Sequence, residues 1–195
     1  MLLVWTFLAT NRVSADELVK FDGASYLPGQ LQKSLARSRG EIAKGTPGAP
    51  IEGYLLKPEG NGPFAAVILL HGCAGSGEAV RISREQRMTG WGYVALSVDS
   101  FTSRGIKKEC AGLVSAPANR LADAWGALRY LSKLPFVDPR RVAVIGWSQG
   151  GGVALKIASA HPFQLFENPD ALSFKAAVAS TLRAALPQIR LRCPY

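Results

Sequence analysis

Three strand-like runs constrain the fold of this chain more than any other feature: the continuously apolar Ala65–Leu70 (AAVILL) and Val142–Ile145 (VAVI), and Tyr93–Val98 (YVALSV), which only Ser97 interrupts. A strand with one wet face alternates apolar and polar residues, whereas a continuous apolar run bounded by turn residues suits a strand covered on both faces, as in a parallel sheet. Helical segments lie between the runs. Residues 78–90 are predicted to form a helix ending at Gly90. Asn119–Leu134 carries Leu121, Ala124, Trp125, Leu128 and Leu131 at helical spacing, and Pro135 with Val137-Asp138-Pro139 terminates it. A further helix is expected from Gln149 to Ala160. Leu18–Phe21 and Ile51–Leu56 read as short early strands, and Phe174–Ala179 as a late one. Strands alternating with helices specify an α/β fold with a doubly wound, mostly parallel sheet.

At 195 residues with 48% hydrophobic content, the chain is long enough for one domain with its own core. The net charge of +9 points to nucleic acid only if the basic residues cluster. They are scattered instead: Lys107-Lys108, Arg140-Arg141, and Arg183, Arg190 and Arg192 in the tail, with no basic stripe interleaved with aromatics. Nucleic-acid binding is therefore not expected, and the charge reads as solvation.

Met1–Ala9 (MLLVWTFLA) is apolar, and Val13-Ser14-Ala15 supplies small residues of the kind a signal peptidase cleaves. The run is too short to span a bilayer, so no stable membrane insertion is expected. Arg12 lies on the wrong side for a positive n-region. Residues 1–15 are read as a leader directing export to the periplasm or beyond, with an uncleaved buried segment as the alternative. Cys73, Cys110 and Cys193 fit no metal-ligand spacing. In an exported protein Cys73 and Cys110 are the favoured disulfide pair, because both fall in loops on one rim of the sheet. Three unpaired thiols are the alternative.

The chemistry concentrates at Gly146-Trp147-Ser148-Gln149-Gly150, between the strand VAVI and a small-residue helix start, Gly151-Gly152-Val153-Ala154. A nucleophile elbow needs that context: the strand turns abruptly into a helix, and the serine hydroxyl projects from the sheet edge. The helix amino end directs unpaired N–H groups at developing negative charge. A plain tight turn with a capping serine is the alternative. His71-Gly72-Cys73-Ala74-Gly75 follows the strand AVILL directly. Acyl transfer needs two backbone N–H donors facing the oxyanion. Gln149, after the nucleophile, and Cys73, in the earlier loop, are the expected donors. Cys73 would then act through its backbone; as a nucleophile it has no evident base.

HGCAG after a strand, VDSF followed by Arg104-Gly105 and Cys110, FVDPRRVAVIGWSQGG, and FKAAVA together resemble the dienelactone hydrolase family, in particular its exported branch with a serine nucleophile. The resemblance covers roughly residues 50–179. It implies a cofactor-free, metal-free α/β-hydrolase acting on small esters or lactones, with the nucleophile at Ser148 and the oxyanion donors at Cys73 and Gln149. His71, Asp99 and Arg104 should share the substrate rim. For Asp99 and Arg104 the competing reading is a local ion pair bracing the loop. Arg120 and Asp123 read as a solvated or structural pair on the amphipathic helix.

The pattern breaks after residue 179. The family's aspartate and histidine follow later strands, whereas the 47 residues after Ser148 hold only Asp170 and His161. At about 1.5 Å per residue a helix from Gln149 carries His161 about 18 Å from Ser148, too far for a base. Asp170 precedes the last strand and is badly placed for the same reason. His71 is the other histidine, and Ser148–His71–Asp99 is a conceivable triad; a buried loop brace is the competing role for His71. Residues 16–179 thus read as an incomplete hydrolase domain and residues 180–195 as a divergent tail, from a shifted frame, a gene break or genuine divergence. Loss of the last strands should leave a long apolar sheet edge. The expected function is ester or lactone hydrolysis through an acyl-enzyme on Ser148; the alternative is a truncated remnant without catalysis that binds small ligands at most.

Overall fold

A computed structural model describes residues 16–110, 118–159, 165–180 and 190–192. The predicted leader, His161 and Cys193 lie outside the described residues. Seven strands make one sheet in the order β1-β2-β4-β3-β5-β6-β7. They are β1 (Glu17–Asp22), β2 (Pro50–Leu56), β3 (Phe64–Leu70), β4 (Val94–Asp99), β5 (Val137–Trp147), β6 (Ala176–Ser180) and β7 (Arg190–Arg192). The three apolar runs sit at its centre. There β4, β3, β5 and β6 pair in parallel, while β1–β2, β2–β4 and β6–β7 are antiparallel.

The runs are apolar or nearly so because both faces of these strands are covered. On one face Ala66, Ile68, Leu70, Val94, Leu96 and Val144 join a large cluster with α3 (Ala118–Ser132) and α4 (Gln149–Ala158). On the other, Val67, Leu69 and Ala95 pack with Met88 of α2 (Glu78–Gly90), and with half-buried Ile145 and Trp147. Every core strand therefore has apolar residues pointing both ways.

Several boundaries differ from expectation. The helix predicted to reach Leu134 ends at Ser132, because Pro135 biases the preceding residue away from helix and the chain turns before it. Phe174 is buried in the main core but lies ahead of the strand, which begins at Ala176. The short helix α1 (Gln30–Ser38) was not anticipated; Leu31 and Leu35 lie one turn apart on it, yet none of its residues is buried. The sheet edge beyond β6 is not bare as expected: β7 pairs with it across Ala176–Arg192, Ala177–Leu191 and Val178–Arg190. Asp170 sits in an exposed turn before β6, at the end of the sheet opposite Ser148.

The first strand docks against α3 at Gly126, where a Cβ would fall 2.2 Å from the Asp22 carbonyl oxygen. Backbone, unlike a flexible side chain, cannot yield to it. Gly126→Ala is expected to destabilise the fold by roughly 1–3 kcal/mol through overpacking, outweighing the helix-propensity gain of about 1 kcal/mol. A thermal melt checks this, and an unchanged or raised midpoint would refute the close contact.

Candidate active site

Three strands deliver the candidate residues to one rim. His71 follows β3, Asp99 ends β4 and Ser148 follows β5; since β3 lies between β4 and β5, the three loops are neighbours. Ser148 adopts φ 51° and ψ −116°, a conformation that L residues rarely take. The cause is the sharpness of the turn. A Cβ on Gly146 would lie 1.9 Å from the Gly150 carbonyl oxygen, and one on Gly150 would lie 2.5 Å from that of Leu70. With both positions stripped to hydrogen, β5 reverses into α4 at van der Waals distance from the end of β3, and the serine between takes up the strain. Ser148 N–H donates to the Ser180 carbonyl at 2.9 Å, tying the turn to β6. Its helix-capping alternative finds no support, since no side-chain cap bond is formed.

The HGCAG loop stands beside Ser148. A Cβ on Gly72 would be 3.4 Å from Ser148 Cβ and 3.9 Å from its Oγ, so the loop passes beside the serine with Gly72 facing it. Gly75 N–H donates to the Gly72 carbonyl at 3.2 Å, folding the loop on itself. Cys73 is joined to Cys110 in a disulfide with Cα atoms 4.9 Å apart, as favoured from their shared rim. The thiol is thus unavailable as a nucleophile.

The charged residues are arranged differently from their sequence reading. Asp99 does not pair with Arg104. Its carboxylate accepts from Phe101 N–H at 2.9 Å, Thr102 N–H at 3.0 Å and the Thr102 hydroxyl at 2.6 Å, capping the turn Thr102–Arg104. Burial opposes its ionisation, but these hydrogen bonds prevail and hold its pKa below the usual value. Arg104 turns inward to Asp123, with two bonds of 2.8 and 2.7 Å, and donates to the Ser100 carbonyl at 2.7 Å. Asp123 is fully buried, not solvated, and its partner is Arg104 rather than Arg120. A sequence pattern shows which residues share a helix face; it does not show which distant loop supplies the counter-charge.

Arg120 is structural, as one sequence reading allowed, but its partners are not the expected Asp123. It is 2% exposed. One terminal nitrogen donates to Gln149 Oε1 and the other to the His71 carbonyl, both at 2.7 Å. Burial pushes its pKa down to about 10, which still leaves it charged at neutral pH. It therefore brackets the elbow and the HGCAG loop from beneath. Its helical position marked it only as part of an amphipathic pattern.

His71 is a brace as well. Its Nε2 accepts from Ser100 N–H at 3.3 Å, which places the proton on Nδ1, and Nδ1 donates to the Gly72 carbonyl at 2.7 Å. With both ring nitrogens engaged, the Ser148–His71–Asp99 triad does not form. Among the described residues, no side chain hydrogen-bonds the Ser148 hydroxyl, and no three His, Cys, Asp or Glu side chains gather as a metal site. No described helix is long and apolar enough to cross a membrane.

A cavity of about 350 Å³ opens between α2 and the rim, lined by Tyr54, His71, Arg81, Arg84, Thr102 and Trp147 among others. Its lining includes Trp147 and not the neighbouring Ser148. Arg84 stacks on the Trp147 ring and Arg81 on that of Tyr54, each at 3.7 Å.

Residues 51–166 match the profile of the dienelactone hydrolase family. The chain is similar to Esterase FrsA of Klebsiella pneumoniae strain 342, 27% identical over 148 residues that make up 74% of this chain and 32% of that protein. Esterase FrsA of Shigella boydii serotype 18 is 30% identical over 115 residues, 57% of this chain and 26% of that one. The chain thus spans less than a third of the length of these curated relatives. Among solved structures, DcsB in complex with its substrate analogue superposes with a TM-score of 0.50 and 19% identity, over 74% of this chain and 41% of that chain. At that identity the likeness concerns the fold.

Burial, with the Arg120 charge nearby, lowers the His71 pKa from 6.5 to about 4. Below pH 6.5 the unfolded chain takes up a proton that folded His71 refuses, so stability falls as pH drops from about 6.5 to about 4 and levels off beneath. The His71 contribution to this loss is ~3 kcal/mol. Urea unfolding at pH 7 and pH 4.5 should show a smaller loss in His71→Gln than in the parent; equal losses would refute a buried neutral histidine.

Proposed function

The chain belongs to the dienelactone hydrolase family, and from that premise we propose that it is a serine hydrolase of small esters or lactones. Ser148 is the nucleophile, and the backbone N–H groups of Cys73 and Gln149 are the oxyanion donors. The observation that carries this reading is the left-handed Ser148 backbone, held between β5 and α4 with the HGCAG loop alongside. Such a turn stores strain to present one hydroxyl, and strain of this kind clusters at functional sites.

In the proposed reaction Ser148 Oγ attacks the substrate carbonyl carbon as its proton passes to a base. The carbonyl oxygen becomes an oxyanion facing the two N–H donors, the alkoxide leaves with a proton, and water then releases the acyl group from Ser148. His71, Asp99 and Arg104 brace the rim through their loop contacts, and His71 and Asp99 also line the neighbouring cavity, where substrate can meet them. Catalysis needs no metal or organic cofactor in this scheme. The Cys73–Cys110 disulfide supports export to the periplasm or beyond, where such bonds persist. The name esterase on the FrsA relatives supports the substrate class.

A second reading, binding of a small ester or lactone without turnover, is favoured by one observation: no described side chain stands ready to take the Ser148 proton. The two separate in a single experiment. Hydrolysis of p-nitrophenyl acetate and of a simple lactone is expected to fall at least about a thousandfold in Ser148→Ala. Binding of the lactone with no Ser148-dependent rate would establish the second reading instead.

A further inference from the structure

We propose that Ile106–Cys110 is a positioning strap for the oxyanion hole and that the Cys73–Cys110 disulfide is its redox-sensitive anchor; this rests on Cys73 and Gln149 being the oxyanion donors. The strap leaves the turn after β4 at Gly105 and crosses the rim to the HGCAG loop. Both peptide groups of one strap residue, Glu109, are engaged. Its N–H donates to the Cys73 carbonyl at 2.9 Å, and its carbonyl accepts from Gln149 Nε2 at 3.2 Å. A single residue therefore spans the two donors. Arg120 closes the circuit from below by holding Gln149 Oε1 and the His71 carbonyl.

Within this circuit the disulfide is the covalent link; the rest are single hydrogen bonds. The loop it anchors carries glycines at 72 and 75, the latter at φ +81°, so its backbone has little stiffness of its own. Oxyanion stabilisation depends on donors about 3 Å from a developing charge, and small displacements remove most of the benefit. Cys73 and Cys110 are both half-buried, within reach of a small thiol. A dithiol reductant supplies two electrons and two protons to the Cys73–Cys110 bond, yielding two cysteine thiols and the oxidised, cyclic disulfide of the reductant. The strap then keeps only its hydrogen bonds, and the Cys73 amide loses its fixed direction.

The test uses the full chain in three forms: oxidised, reduced with dithiothreitol, and Cys110→Ser. A fluorophosphonate probe is added and phosphonylation of Ser148 is followed by intact mass. The expected result is a maximal labelling rate about tenfold lower in the reduced and Cys110→Ser forms, with the half-saturating probe concentration unmoved. Reoxidation restores the rate of the reduced parent and not that of the variant. Amide hydrogen exchange is read on the same samples, and about tenfold faster exchange is expected at Cys73 and Gln149, with β3 and β5 unchanged. If the parent labels and its rate does not respond to reduction, the proposal fails. It also fails if exchange at the two amides is unaffected, or if protection is lost across the whole sheet, since the bond would then act on the fold at large. Absence of labelling in all three forms, with the local exchange change present, refutes Ser148 as a working nucleophile while upholding the strap.

Discussion

The approach of three backbones at Gly146, Gly150 and the Leu70–His71 peptide governs the rest of the rim. Hypothetical Cβ atoms at the two glycines would come 1.9 Å from the Gly150 carbonyl oxygen and 2.6 Å from that of His71. Only hydrogen fits, so β5 can reverse into α4 against the end of β3. Ser148 is forced left-handed by that reversal, and Gly72 is brought alongside it by the same approach. Ser148 and the HGCAG loop are therefore not independently positioned; one packing contact places both.

Beneath that contact lies a layer of buried charge. Arg120 ties the His71 carbonyl to the Gln149 side chain, and Arg104 with Asp123 ties the loop after β4 to α3. Isolated buried charges are costly, and these persist because each is hydrogen-bonded to partners from other elements. The result is a rim whose polar side chains look inward. His71, Asp99 and Arg104 are engaged in bracing, whereas no described side chain hydrogen-bonds the Ser148 hydroxyl. That division suits acyl transfer, where the donors to the oxyanion are peptide N–H groups and the surrounding side chains hold them in register.

Much of this was legible in the residue order. Apolar or nearly apolar runs report strands covered on both faces, and the structure places all three at the sheet centre. The glycines around Ser148 report a turn too tight for side chains, and the strained serine is found there. Helix α1 was missed although Leu31 and Leu35 are spaced one turn apart, because two leucines in a nine-residue, mostly polar segment make a short pattern. The partners of Arg104, Arg120 and Asp123 were not legible either. Asp99 is five residues from Arg104, yet the counter-charge comes from Asp123 on a different element.

The sequence by itself determined the α/β class, the sheet centre, the elbow at Ser148 and the family, because each depends on local pattern: run length, glycine placement and motif context. Tertiary structure alone decided that His71 is a neutral brace, that Arg120 links the elbow to the HGCAG loop, and that Glu109 spans Cys73 and Gln149. These are contacts between segments tens of residues apart, fixed by strand order and the close approach at Gly150. Charge pairing depends on distance in space, and the residue order does not encode that distance until the sheet has been assembled.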